Sequence, residues 1–152
     1  MILYLDTSAL VKAYVSEAFS ENILEAMEQA KIVATHPIAY VEAHAAFARI
    51  KREKKITQEE HELIKKNFRT DWINFLLFHN NEVLLEHAAN LADVLLLRAY
   101  DSIHLAAADL LAKKSKIPVT FACFDLALNK SAHVLGLILL TAHSPFSKVA
   151  SR

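Results

Sequence analysis

The sequence predicts an α/β sandwich: three layers, with a short, mostly parallel central sheet flanked by helices. Short apolar runs bounded by polar or turn residues recur along the chain, as buried parallel strands do. Between them the hydrophobic period changes to that of a helix, and such alternation implies a sheet covered on both faces. The length of 152 residues, 54% of them apolar, supplies one packed core and is the size of one domain.

The elements follow in order. Ile2–Leu5 and Ile32–Thr35 read as strands. Pro37 suits the first turn of a helix running to about Arg52, because that position needs no N–H. Thr57 and Glu60 form a capping box that opens a helix with Ile64, Phe68, Trp72 and Phe75 on one side. Glu82–Leu85 is a weaker fifth strand. Asp101 opens a helix from Ile103 to Lys114, in which Ile103, Ala106, Ala107, Leu110 and Leu111 keep helical spacing. Val119–Cys123 and Leu137–Leu140 complete the strands. Gly136 is placed to end a short helix that begins near Leu126. A single domain over 1–142 and a loose tail over 143–152 are expected.

Composition removes several classes of function. Lys plus Arg and Asp plus Glu both number 17, so nucleic acid cannot be held by bulk charge and needs a local patch. The lone glycine, Gly136, excludes glycine-rich phosphate loops and dinucleotide turns. One cysteine, Cys123, forbids an internal disulfide and a cysteine zinc cage, which fits a reducing cytoplasm. No targeting segment is expected, because Asp6 interrupts the apolar start. The uncharged runs Trp72–Phe78 and Val134–Ala142 fall short of the roughly 20 residues of a membrane span.

The acids carry the functional information. Asp6 follows the first strand and Asp125 follows Val119–Cys123, and open α/β sheets bind ligands beyond the carboxyl ends of their strands. Each acid is equally a natural helix N-cap. Glu42 interrupts the apolar stripe of Ile38, Val41, Ala45 and Ala46, where a charge is costly unless it is paired or binds a metal. Asp101 lies in a first helical turn, where it also complements the helix dipole. Asp71, Asp93 and Asp109 read as solvated surface charges. If Asp6, Glu42, Asp101 and Asp125 meet, each pair about 5 Å apart repels by roughly 3 kcal/mol, and protons or a cation must relieve them. All-oxygen donors favour Mg²⁺ or Mn²⁺, which support attack of water on a phosphodiester.

At these residues the sequence resembles the PIN-domain proteins, in particular the VapC-like toxins of VapBC toxin–antitoxin pairs. The resemblance rests on D-T-S-A-L-V-K-A-Y from Asp6, V-E-A-H-A-A around Glu42, R-A-Y-D-S-I-H-L-A-A-A from Arg98, and F-D-L-A-L-N-K-S-A-H-V-L-G-L from Phe124. It implies a Mg²⁺- or Mn²⁺-dependent ribonuclease in which Asp6, Glu42, Asp101 and Asp125 are the catalytic and metal-binding acids. It further implies supporting roles for Ser8 and Asn129, products with a 3′-hydroxyl and a 5′-phosphate, a homodimer, and an antitoxin that blocks the acidic groove.

Three further readings concern the remaining polar residues. His104, three residues after Asp101, reads as a core histidine bonded to a neighbour, and no zinc-type spacing accompanies it. Arg49, Arg52, Lys54 and Lys55, with Lys51 and reinforced by Lys65, Lys66 and Arg69, form the densest basic cluster and the candidate RNA contact. Cations at a helix C-terminus also explain part of it. Two rivals to the nuclease are an inactive protein- or RNA-binding module with the same fold, and a phosphatase using Asp6 as nucleophile. The phosphatase requires a second acid where this chain has Ser8.

Overall fold

The structure is a computed structural model that describes residues 1–140. The proposed boundary at residue 142 and the tail 143–152 lie outside the described residues. In chain order the elements are β1 (Ile2–Leu5), α1 (Thr7–Lys12), α2 (Ser20–Gln29), β2 (Ile32–Thr35), α3 (Ile38–Arg52), α4 (Gln58–Trp72), β3 (Leu76–Leu77), α5 (Glu82–Leu95), α6 (Ala99–Lys114), β4 (Val119–Ala122), α7 (Leu126–Val134) and β5 (Ile138–Leu139). The strands form one sheet in the order β3-β2-β1-β4-β5, and every pairing is parallel. Ile2 of the central strand stands opposite Ile32 on one side and Val119 on the other.

Strand alternation divides the core in two. Ile2 and Tyr4 pack with Leu84, Leu105 and Leu128 under α5, α6 and α7. Leu3 and Leu5 pack with Leu10, Phe47 and Phe68 under α1, α3 and α4. The chain therefore has the three layers expected of it.

Connections from the middle strand leave in opposite directions. The chain passes from β1 through β2 to β3 on one side, then returns across the sheet to β4 beside β1. That reversal leaves a crevice at the carboxyl ends of β1 and β4, where such sheets bind ligands. Asp6 and Asp125 stand at those ends.

Three expectations about the elements need correction. Glu82–Leu85 is the start of α5, because Asn81 caps it by accepting from the Leu84 N–H at 2.8 Å. The fifth strand is instead Leu76–Leu77, which ends the apolar run after α4. Phe75 lies beyond α4, although its ring still contacts Trp72 at 6.0 Å. The buried stripe of α3 is Ala39, Ala43, Phe47 and Ile50, while Val41 is exposed, so Glu42 borders the stripe and does not interrupt it.

Asp109 is not a surface charge. It is 2% exposed on α6 and accepts from His87 Nε2 at 2.7 Å and Lys113 Nζ at 2.6 Å. Helix α6 is buried on several sides by α5, α7 and the sheet, so its polar edge is narrower than the periodicity indicates.

Candidate active site

Asp6, Glu42, Asp101 and Asp125 line one groove of about 800 Å³, with Ser8, Thr7, Arg98 and His104 beside them. Four segments distant along the chain bring them there. Asp6 directly follows β1 and caps α1, its Oδ1 accepting from the Ala9 N–H at 2.9 Å. Asp125 caps α7 in the same manner, accepting from the Leu128 N–H at 2.8 Å. The capping and groove-lining readings of both acids therefore hold together. Asp101 lies in the first turn of α6, and Glu42 faces it from α3.

Each acid is held by the protein. Ser8 Oγ donates to Asp6 Oδ1 at 2.7 Å and accepts from the Phe124 N–H at 2.9 Å, tying the end of β1 to the loop after β4. Glu42 Oε1 accepts from Thr7 Oγ1 at 2.8 Å and from His104 Nε2 at 3.0 Å. Arg98 Nε donates to Asp101 Oδ2 at 2.9 Å, and its Nη2 lies 4.0 Å from Asp125 Oδ2. No hydrogen bond to a described residue engages the second oxygen of Asp6, Glu42 or Asp101.

The electrostatics separate the acids. Burial pushes the Asp6 carboxyl up to about 6 against the pull of His104, Ala9 and Ser8, and the charge of Asp101 adds to the rise. Burial also pushes Glu42 upward, but hydrogen bonds from His104 and Thr7 outweigh it and hold that carboxyl below its usual value. Burial raises the Cys123 thiol, which keeps it protonated and unreactive.

The donor set fits a hard divalent cation in kind. It consists of carboxylate and hydroxyl oxygens, and the mutual charge of Asp6 and Asp101 is of the sort a cation relieves. Among the described residues, no three His, Cys, Asp or Glu side chains are already gathered as a cage. The carboxylates stand apart around the groove, so a cation shared by Asp6, Glu42 and Asp101 has to draw their free oxygens inward or reach some of them through its waters, as Mg²⁺ does.

The basic and supporting residues divide. Arg49, Arg52 and Lys55 line the groove, and Lys55 pairs with Glu53 at 3.0 Å. Lys54 does not line it: the residue takes a left-handed conformation (φ 59°) just past the end of α3 and is exposed. Asn129 is also off the groove wall. It is 3% exposed and its Nδ2 donates to the Cys123 carbonyl at 3.0 Å, bracing the turn that carries Asp125. The core reading of His104 holds, since it is 2% exposed and bonded to Tyr4 Oη at 3.1 Å as well as to Glu42. Arg98 and Thr7 were not singled out from the sequence. The i, i+3 spacing of Arg98 and Asp101 is the signal for the first; nothing local signals Thr7 reaching Glu42 across 35 positions.

Comparison with known proteins concerns the chain as a whole. The chain is 26% identical over 135 residues to ribonucleases VapC45 and VapC49 of Mycobacterium tuberculosis, a match covering 89% of this chain and 92% of each relative. Its fold is similar to that in the crystal structure of FitAcB from Neisseria gonorrhoeae (TM-score 0.63, 15% identity, 91% of this chain and 96% of that one). It is also similar to VapBC2 from Rickettsia felis, solved bound to a DNA fragment from their promoter (TM-score 0.62, 16% identity, 91% and 97% covered). The family model described as PIN domain matches residues 3–134, which is most of the sequence, and this chain belongs to the PIN domain family.

Proposed function

We propose that the chain is a divalent-metal-dependent endoribonuclease and the toxin of a toxin–antitoxin pair. The observation that supports this is that four acids, from four separate segments, line one groove at the reversal point of the sheet. The VapC ribonucleases it resembles support the choice of RNA.

In this reading Asp6, Glu42 and Asp101 hold the cation, with Asp125 completing the acidic wall and Ser8 fixing the direction of Asp6. These residues would hold a Mg²⁺ or Mn²⁺ ion, which would ease deprotonation of a water for in-line attack on phosphorus and would neutralise charge on the phosphate. Arg49, Arg52 and Lys55 line the same groove and offer cations to the flanking phosphates, so a chain of zero net charge still presents a local positive wall. The toxin assignment brings a small antitoxin that covers the groove, and a homodimer. No helix of the described residues is long and apolar enough to cross a membrane.

A rival reading has a specific basis: every one of the four acids is also a cap or a bonded partner of a neighbour, which a module that binds without hydrolysing equally requires. Cleavage of a single-stranded RNA separates the two. The nuclease reading expects 5′-phosphate products that require Mg²⁺ or Mn²⁺, disappear with a chelator, and are abolished by Asp101→Asn. Cleavage that survives both Asp101→Asn and chelation, or no cleavage by the wild type under any of these ions, defeats it.

A further inference from the structure

Beneath the groove a polar chain runs into the core. Tyr4 and His104 are 0% and 2% exposed, in the cluster between the sheet and α6. The Tyr4 ring stacks on Phe121 at 5.9 Å and meets the edge of His104 at 6.0 Å. Its hydroxyl is 3.1 Å from His104 Nδ1, and the opposite ring nitrogen reaches Glu42. Thr7 Oγ1 bonds the same Glu42 oxygen and lies 3.3 Å from His104 Nε2.

We propose that Tyr4 and His104 are positioning residues that fix the Glu42 carboxylate at the groove wall. Helix packing alone does not do this. The buried stripe Ala39, Ala43, Phe47 and Ile50 sets where α3 lies, but the long Glu42 side chain keeps its own rotamers. A hydrogen bond from a ring that is itself locked removes that freedom. The ionised carboxylate only accepts, so His104 carries a proton on Nε2. With the Nε2 proton given to Glu42, the bare Nδ1 accepts from the Tyr4 hydroxyl, which holds the ring from the far side. Buried polar groups are costly unless satisfied, and here each is satisfied in a line that leads to a groove acid.

This inference rests on Glu42 serving as a metal ligand. Titration calorimetry of the full chain with Mn²⁺ tests it, with melting temperature followed in parallel. His104→Leu is expected to weaken Mn²⁺ binding about 10-fold or more, the usual cost of losing the partner that orients a ligand. His104→Gln, which returns an N–H donor near the Nε2 position, is expected to recover most of that loss. Tyr4→Phe removes only the hydroxyl and is expected to fall between them, and it carries the test if His104→Leu fails to fold. Long-range ¹⁵N–¹H spectra of the metal-free protein are expected to show the His104 proton on Nε2.

Wild-type Mn²⁺ affinity in folded His104→Leu or Tyr4→Phe overturns the inference, as does a ring protonated on Nδ1 alone. Mn²⁺ binding that is present in the wild type and unchanged in Glu42→Gln overturns it while leaving the nuclease reading standing. A wild type that binds no Mn²⁺ at all overturns both.

Discussion

Asp6 shows how one residue serves folding and chemistry at once. Its Oδ1 caps α1 and the residue is 4% exposed, so the cap is made inside the protein and the charge is kept there at a cost. The cost has a sign and a pH window. Because the folded value is raised from 3.8 to about 6, the folded state holds the proton more tightly than the unfolded chain. Relative to neutral pH, Asp6 adds stability that is fully present below pH 3.8 and lost as the pH rises through about 6. The loss is on the order of 3 kcal/mol. Asp6→Asn keeps the cap, since asparagine caps as well, and removes the charge. Urea unfolding with a chelator present is therefore expected to show the variant more stable than wild type at pH 7 by up to about 3 kcal/mol, and nearly equal to it below pH 4. A difference of the same size at both pH values contradicts this account. Asp6, Asp101 and Asp125 were legible from the sequence because their positions after strands or at helix starts are local facts. Tyr4 and Thr7 were not, since their partners lie 100 and 35 positions away.

At the scale of elements, the scarcity of glycine has consequences. Left-handed positions fall to Phe19, Lys54 and Leu96, besides Gly136 at φ 78°. Leu96 ends α5 at φ 54° and is 89% exposed, so its side chain buries little to compensate for the conformation. Leu96→Gly is expected to raise stability by about 1 kcal/mol, read as a higher denaturant midpoint with unchanged slope; a fall in the midpoint contradicts it. The helices that sequence rules located well were those with a chemical boundary, such as the Thr57 side chain accepting from the Glu60 N–H at 3.1 Å. The edge strand Leu76–Leu77 escaped because two residues are too few to display a period, and its identity is set by pairing with Ala34 and Thr35. For the same reason Glu82–Leu85 looked like a strand, although Asn81 had already placed a cap before it.

For the whole molecule, a formal charge of zero conceals a division. The groove joins the acids at the carboxyl edge of β1 and β4 to a wall containing Arg49, Arg52 and Lys55 at the end of α3. Such an arrangement offers one end to a cation and the other to phosphates. The alternation of runs along the chain made the layers readable, and the sheet order adds what alternation cannot: the reversal beside β1 that makes the crevice. Asp109 marks the limit of pattern reading, for only the packing of α5 against α6 shows that this carboxylate is enclosed. The account stands on a divalent ion joining side chains of separate segments. Anomalous diffraction from a crystal soaked in Mn²⁺ measures that directly. The account predicts one strong peak in the groove, within about 2–2.5 Å of carboxylate oxygens of both Asp6 and Asp101. A fully soaked crystal with no peak there, or with manganese held only elsewhere on the surface, contradicts it.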